Sequence, residues 1–276
     1  PDRGLWKKDA QKLAILTERR QQLYASTLSL PGKIYWLLED AKRYGTLPFA
    51  GLARAGFVAV QMLQSLVQMG VFSKNEYHLF LESICTINKK MSRDRARSTK
   101  NDFLQKYGHL RPGTYDVLSP RYDEAPDLYF NWKEKPKNAV VDEIFSPSDQ
   151  QLKQIDNLIE QHGLTTDASS LIEFIQSGIE MRELGKFEFS KNLSDCLSLI
   201  TQFSGGIGVP IEEMAFCDIN AIKELHLSSG AYKSSILESI KHGKSVYKDT
   251  QSVSLPPLIT SPDQVWAFEV PSTEPN

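Results

Sequence analysis

The chain has 276 residues, more than one small core organises, so one large or two modest domains are expected rather than a peptide or a small module. Hydrophobic residues at 41% and charged residues at 24% are the balance of an ordinary soluble globular chain. Lys and Arg number 32 against 34 Asp and Glu, a formal net charge of -2, which excludes a strong field steering the whole molecule toward nucleic acid or an anionic membrane. Cys85, Cys196 and Cys217 are far apart and form no C-x-x-C or Cys/His cluster, so neither a disulfide scaffold nor a metal site is expected. Pro1 to Lys8 is too polar for a signal peptide, and the expected compartment is cytoplasmic.

There are 31 Leu but only 12 Val, and few runs alternate with period two, so the chain reads as all-α, mainly a helical bundle. A first helix covers Leu5 to about Ser26, with Trp6, Leu13, Leu16 and Leu23 on its apolar face, and Leu30-Pro31-Gly32 breaks it. A second is expected from about Lys33 to Tyr44, with Gly45 as a left-handed cap. Leu47 to Val71 approaches the length of a membrane span, but Arg54, Gln61, Gln64 and Gln68 would be costly in a bilayer. Leu52, Gly56, Ala59, Leu63 and Leu66 recur there at helical spacing, which predicts a helix buried on most sides. Arg54 is then paired in the interior, lining a cleft, or at the rim reaching water. Ser73 to Glu76 has the form of a capping box and opens a helix through Phe80 and Ile84 toward Met91. Ser92 to Lys100 is polar and basic, and a helical pattern resumes from Asp102 to Tyr107.

From Gly108 to Pro147 the prolines 112, 120, 126, 136 and 147 prevent any long helix, so a long irregular segment is expected around 108–147. Its tyrosines, Phe130 and Trp132 have to pack on something, which argues against a solvated linker. Ser146-Pro147 puts a cap residue and a first-turn proline before a helix carrying Leu152, Ile155 and Ile159. The next helix starts near Asp167 or Ala168 and runs past Leu193, with Gly185 as the point where it could break. Gly205-Gly206-Ile207-Gly208 ends it rather than cradling phosphate, Pro210 starts a short helix, and helical pattern returns between Ala231 and Tyr247. Residues 1–251 are read as the helical region, subdivided if anywhere near 108–147, and 252–276 as an extended proline-rich tail.

Two constellations could carry chemistry. Ile172, Ile175, Ile179, Arg182, Lys186, Phe189 and Leu193 are spaced alternately by three and four, one continuous stripe on a helix, with two cations inside an apolar seam. Glu173, Gln176, Ser177 and Glu180 form the opposite, solvent-facing side. Like charges at i, i+4 repel, so a pair turned inward needs an anion: a protein carboxylate such as Glu183 or Glu188, or a ligand phosphate. Arg offers a planar fork and Lys a mobile point charge, which together suit a transferring phosphoryl group. The second is the loop from Tyr107 through His109, Arg111, Tyr115 and Asp116 to Arg121 and Glu124. His109 could act as a general base or proton relay. Alternatively Asp116, Arg111 and Arg121 serve only to satisfy the backbone of a loop that lacks helical or strand hydrogen bonds. Arg93 to Arg97 reads as a solvated face, and His78, His162, His226 and His242 show no metal-ligand spacing.

The run Phe103 to Asp116, with Tyr107-Gly108-His109 at its centre, and Ser119-Pro120-Arg121-Tyr122-Asp123-Glu124 after it, resembles a segment of phosphoenolpyruvate synthase-like proteins. It looks most like the helical substrate-binding middle region found in rifampin phosphotransferase-like members. Leu47 to Phe57, Arg182 to Lys191, Ile211 to Met214 and Leu255 to Thr260 agree in order. The resemblance implies an ATP-dependent phosphotransferase in which an ATP-grasp domain and a phosphohistidine domain of the same parent chain flank this region, so that 252–276 leads toward the latter and the region alone is inactive. It implies that ATP and Mg belong to the parent protein, with no cofactor in this part, and that His109 is not the phosphocarrier. Arg182 and Lys186 would hold the transferred phosphoryl; His109, counted with them as catalytic, would line the acceptor cleft with Arg111, and Tyr115, Asp116, Arg121 and Arg54 would complete the site of a small-molecule acceptor. Leu110 stands where rifampin-type relatives often have Arg. Neither nucleic acid nor membrane is expected as a partner. The alternative is a non-catalytic helical interaction module whose inward charges are structural and whose aromatic loop docks a protein.

Overall fold

The computed structural model describes residues 5–133, 145–227, 232–256 and 258–266, and its fold is all-α. In chain order the helices are α1 Leu5–Ala25, α2 Leu30–Asp40, a π-helical turn Ala41–Thr46, α3 Leu47–Gln68, α4 Lys74–Ser83, α5 Ile87–Arg97, α6 Lys100–Tyr107 and the short α7 Pro126–Tyr129. They continue with α8 Asp149–Gln161, α9 Ala168–Gly206, the short α10 Ile211–Met214 and α11 Ile219–Glu224, and α12 Tyr232–Gln251.

Ser29 starts α2 by accepting from the Gly32 amide, and Pro31 sits in the first turn where its missing N–H is harmless. The expected stop at Gly45 does not occur. Gly45 lies inside the π turn with an ordinary negative φ, and Leu30–Gln68 is one helical run of 39 residues. Its lack of a side chain serves packing instead: a Cβ there would stand 2.7 Å from Phe189 Cβ and 3.4 Å from Leu16 Cδ2.

The partner of this run is α9, also 39 residues and unbroken at Gly185. Each is about 58 Å long at 1.5 Å per residue. They pack antiparallel: Asn192 Nδ2 donates to the Leu37 carbonyl (3.4 Å), Gly45 faces Phe189, Gly185 faces Leu52, and Gly56 faces Gly178 and Arg182. A Cβ on Gly178 would lie 3.1 Å from Ala59 Cβ and 3.2 Å from the Ala55 carbonyl, so here the backbones nearly touch. Gly185 was the suspected break, but it is the residue that lets Leu52 in.

Apolar clusters occupy both ends of the crossing. At one, Leu63, Leu66, Phe72, Phe80, Ile155 and Ile175 join α3, α4, α8 and α9; at the other, Leu37, Cys196, Ile200, Met214, Ile222 and Ile236 join α2, α9, α11 and α12. A smaller aromatic cluster of Phe103, Tyr107 and Phe187 seats the loop after α6. By length and composition Leu30–Gln68 could also cross a membrane; its inward positions pack on α9, and its exposed positions mix Arg54, Gln61, Ser65 and Gln68 with Leu47, Phe57 and Val58.

Three boundaries differ from the sequence reading. The helix opened by the Ser73–Glu76 capping box ends at Ser83, and Thr86 caps a new helix that absorbs most of the basic 92–100 stretch. The cap of α8 is Ser148, whose hydroxyl and the Gln151 side chain exchange both capping-box bonds; Ser146 has no comparable partner at the third position. Asp167 caps α9 as expected. Beyond the single short helix α7, the described part of 108–147 is irregular, and 134–144 lie outside the described residues. Over 252–256 and 258–261 the tail has no regular secondary structure, Pro262–Val265 forms one 3-10 turn, and 267–276 lie outside the described residues.

The crossing has a measurable consequence. Gly45→Ala is expected to destabilise the chain by about 1–3 kcal/mol in urea unfolding, because the new methyl must displace Phe189. Gly205→Ala, whose added Cβ meets nothing within 4 Å, is expected to gain up to about 1 kcal/mol.

Candidate functional site

The loop after α6 is held by its own polar groups. The Tyr122 amide donates to the Leu110 carbonyl (2.8 Å) and the Asp123 amide to that of Gly108 (3.1 Å), so the chain doubles back on itself. Asp116 Oδ1 accepts from the Leu118 amide (2.9 Å), and Ser119 Oγ accepts from that of Gly113 (3.2 Å). Arg111 Nη1 closes the loop on the Ser119 carbonyl at 2.8 Å. Much of what Arg111 and Asp116 do is therefore backbone satisfaction.

A charged knot fastens this loop to the bundle. Asp195 of α9, nearly buried, accepts from Arg20 of α1 at 2.7 Å and from Arg121 at 2.8 Å. Arg121 also forks onto Asp123 with two bonds of 2.8 and 2.7 Å. Tyr24 stands against the same carboxylate, and burial together with that charge pushes its phenol pKa up. Arg121 was assigned to the acceptor; its guanidinium is engaged by two carboxylates, which makes it a clamp on the loop.

A cavity of about 240 Å³ opens between the loop, α5 and α9. It brings together His109, Arg111 and Lys186 from the sequence-derived set, with Asn88, Thr114, Glu183, Ser190 and Ser194. His109 is only 6% exposed and meets the Phe187 ring edge-on at 4.8 Å. Burial, reinforced by the charges of Lys191, Arg121 and Arg20, pushes its pKa down from 6.5 to about 3, so the ring is neutral at physiological pH. Its Nε2 has no hydrogen-bond partner in the protein. Arg111, 7% exposed, donates to the carbonyls of Ser119, Asp116 and Ser194 and the hydroxyls of Ser194 and Ser198, all neutral oxygens, and its Nε has no partner. Burial lowers its pKa, with Glu124 as the largest opposing charge.

The inward cationic seam is not what the structure contains. Lys186 is exposed at the cavity rim, and the Arg182 side chain is 39% exposed, paired with Glu183 at 3.1 Å and lying over the Phe57 ring. The buried line of α9 passes through Ile175, Gly178, Gly185, Phe189, Asn192 and Cys196. The stripe drawn through Lys186 and Leu193 lies one residue to the side, because a glycine and an asparagine carry no apolar signal. Of the expected solvent face, Glu173 is exposed, while Gln176, Ser177 and Glu180 are only partly so, and Glu180 accepts from the Cys85 amide (3.1 Å).

Tyr115 and Asp116 line a different cavity, and Arg54 is exposed on α3 and lines neither. Sequence reasoning missed Arg20, Asp195 and Ser194; the polar run Ser190 to Asp195 inside a long apolar helix is the signal that could have found the last two. Among the described residues no group of three or more His, Cys, Asp or Glu could hold a metal ion. Comparison with family models, with curated proteins and with solved structures gave no match.

His109 makes stability pH-dependent. Its folded pKa lies below 6.5, so between the two values the unfolded chain binds the extra proton; stability is full above about 6.5 and falls as pH drops toward 3. From pH 7 to 5 the wild type is expected to lose roughly 2 kcal/mol through this group. His109→Phe, which keeps an aromatic ring against Phe187, is expected to show a correspondingly flatter profile in urea unfolding at the two pH values.

Proposed function

We propose that this region binds the phosphoryl acceptor of an ATP-dependent phosphotransferase of the phosphoenolpyruvate synthase-like class, acting with ATP-grasp and phosphohistidine domains of its parent chain. The observation that carries the reading is the cavity in which a buried Arg111, hydrogen-bonded only to neutral oxygens, lies with Lys186 and a neutral His109. A guanidinium without a carboxylate on it leaves positive potential available to an entering oxyanion. Lys186, exposed at the rim, adds a second charge, and Thr114 supplies a hydroxyl, whereas Ser190 Oγ already donates to the Phe187 carbonyl (2.8 Å).

On this reading catalysis is positioning plus charge stabilisation. His109 is too weak a base while the cavity holds no anion. An entering phosphoryl group raises its pKa, since opposite charge favours the protonated ring, and the imidazole then holds a proton at the site. ATP and Mg act from the nucleotide domain. Arg182, engaged by Glu183, takes no part, and Arg54, Tyr115 and Arg121 lie outside the phosphoryl site.

The other reading, a helical interaction module, is favoured by the exposed apolar side chains of Leu237, Val246 and Tyr247 on α12 and of Leu255, Leu258 and Trp266 after it. Thermal unfolding separates the two. Inorganic phosphate or phosphoenolpyruvate is expected to stabilise the wild type and Arg182→Ala, by about 2.7 kcal/mol at a hundredfold excess over Kd, and to lose that effect in Lys186→Ala. In the parent enzyme Lys186→Ala is expected to slow phosphoryl transfer by about 100-fold. No stabilisation by either anion, with wild-type transfer in Lys186→Ala, would leave the interaction module as the better account.

A further inference from the structure

The larger cavity, about 410 Å³, shares no lining residue with the phosphoryl site. Four parts of the chain converge on it: Leu38 of α2, the loop at Tyr115 to Val117, the α9 face from Leu193 to Ile200, and the α10–α11 segment from Met214 to Ile222. Its floor is Cys196, Ile200, Met214 and Ile222, all buried core residues. Its rim is Tyr115, 72% exposed, with Asp116 and Ala215 also exposed.

The chemistry of the lining selects the guest. The floor carries no charge: burial pushes the Cys196 thiol up to about 12 and also raises that of Cys217, so both stay neutral. An ion on that floor would lose its hydration with nothing to replace it. At the rim, Asp116 Oδ1 accepts one bond, from the Leu118 amide at 2.9 Å, which orients the carboxylate and leaves most of its acceptor capacity unused. A concave space of this size falls in the range of small-molecule sites, and its depth, down to residues of the bundle core, distinguishes it from a flat docking face. We infer that this cavity binds an uncharged, largely apolar small molecule carrying an N–H or O–H donor, the apolar body on the Cys196–Ile222 floor and the donor on the Asp116 carboxylate. The inference does not depend on the phosphotransfer reading.

The test uses the whole chain and two fluorescent probes, N-phenyl-1-naphthylamine, which has a donor, and 1-phenylnaphthalene, which does not. The amine is expected to bind saturably at one site. Asp116→Ala weakens the amine by about tenfold or more and leaves the hydrocarbon unchanged. Ala215→Trp, a rim substitution at an exposed position, weakens both by a similar factor at unchanged helicity. In a Cys85→Ser chain, bound amine is expected to slow the reaction of half-buried Cys217 with a disulfide reagent, a readout that remains if Ala215→Trp does not fold. Non-saturable binding, affinities indifferent to both substitutions, or an unprotected Cys217 would overturn the inference. Because Lys186 and Arg111 line the other cavity, loss of phosphate binding would leave these results untouched.

Discussion

The antiparallel crossing of Leu30–Gln68 with α9 is the constraint on which the other elements depend. Two helices of this length approach closely only where side chains are missing, and Gly45, Gly56, Gly178 and Gly185 supply those gaps along the seam. Leu52, Ala59 and Phe189 fill the intervening space from the opposite helix. The π turn at Ala41–Thr46 belongs to this arrangement: the one-residue widening lets the helix continue past Gly45 while keeping α2 and α3 both against α9.

Around that seam the described residues include two buried carboxylates that join separate elements, Asp195 across long stretches of sequence and Asp40 between the consecutive helices α1 and α2. Asp195 ties α1, the 108–133 loop and α9 through Arg20 and Arg121. Asp40, 1% exposed, meets Arg19 at 2.8 Å with one oxygen and has no partner for the other. A buried carboxylate with two cations is tolerable because each charge is answered, and removing any member would strand the rest. The loop is thereby fastened on one side by ion pairs and on the other by the Phe103–Tyr107–Phe187 aromatic cluster, a rigid mounting for residues that would otherwise sit in an irregular segment.

That mounting separates two cavities of different character. His109 and Arg111 line the one that also holds Lys186 and Glu183, and Tyr115 and Asp116, a few residues on, line the more apolar one. The loop's backbone bonds partly to itself, Tyr122 to Leu110 and Asp123 to Gly108, and partly to α9, where Ser194 Oγ donates to the His109 carbonyl, so the loop presents different side chains on its two sides. Arg111 holds the loop together and His109 packs on Phe187, yet His109 Nε2 and Arg111 Nε are buried without a hydrogen-bond partner in the protein, and those two atoms are what the proposed function draws on.

Helix type and several helix starts were legible in the residues themselves, while α5, α7 and α11 were not anticipated. Leucine content, the Ser73–Glu76 capping box and Asp167 at the start of α9 are local signals that the folded chain keeps, because capping is settled within one turn. The irregular character of the loop was legible from its prolines. Glycine was misread at Gly45 and Gly185: a backbone without a side chain signals a bend or a close approach equally, and only the neighbouring helix decides between them. The same ambiguity displaced the α9 stripe, so Lys186 was expected inside and stands at a rim. Sequence by itself determined that this is an all-α chain with a chemically rich loop after α6. Tertiary structure alone decided which of that loop's charges pair with Asp195 and Asp123 and which carry no carboxylate, since ion pairing across 74 residues depends on distance in space.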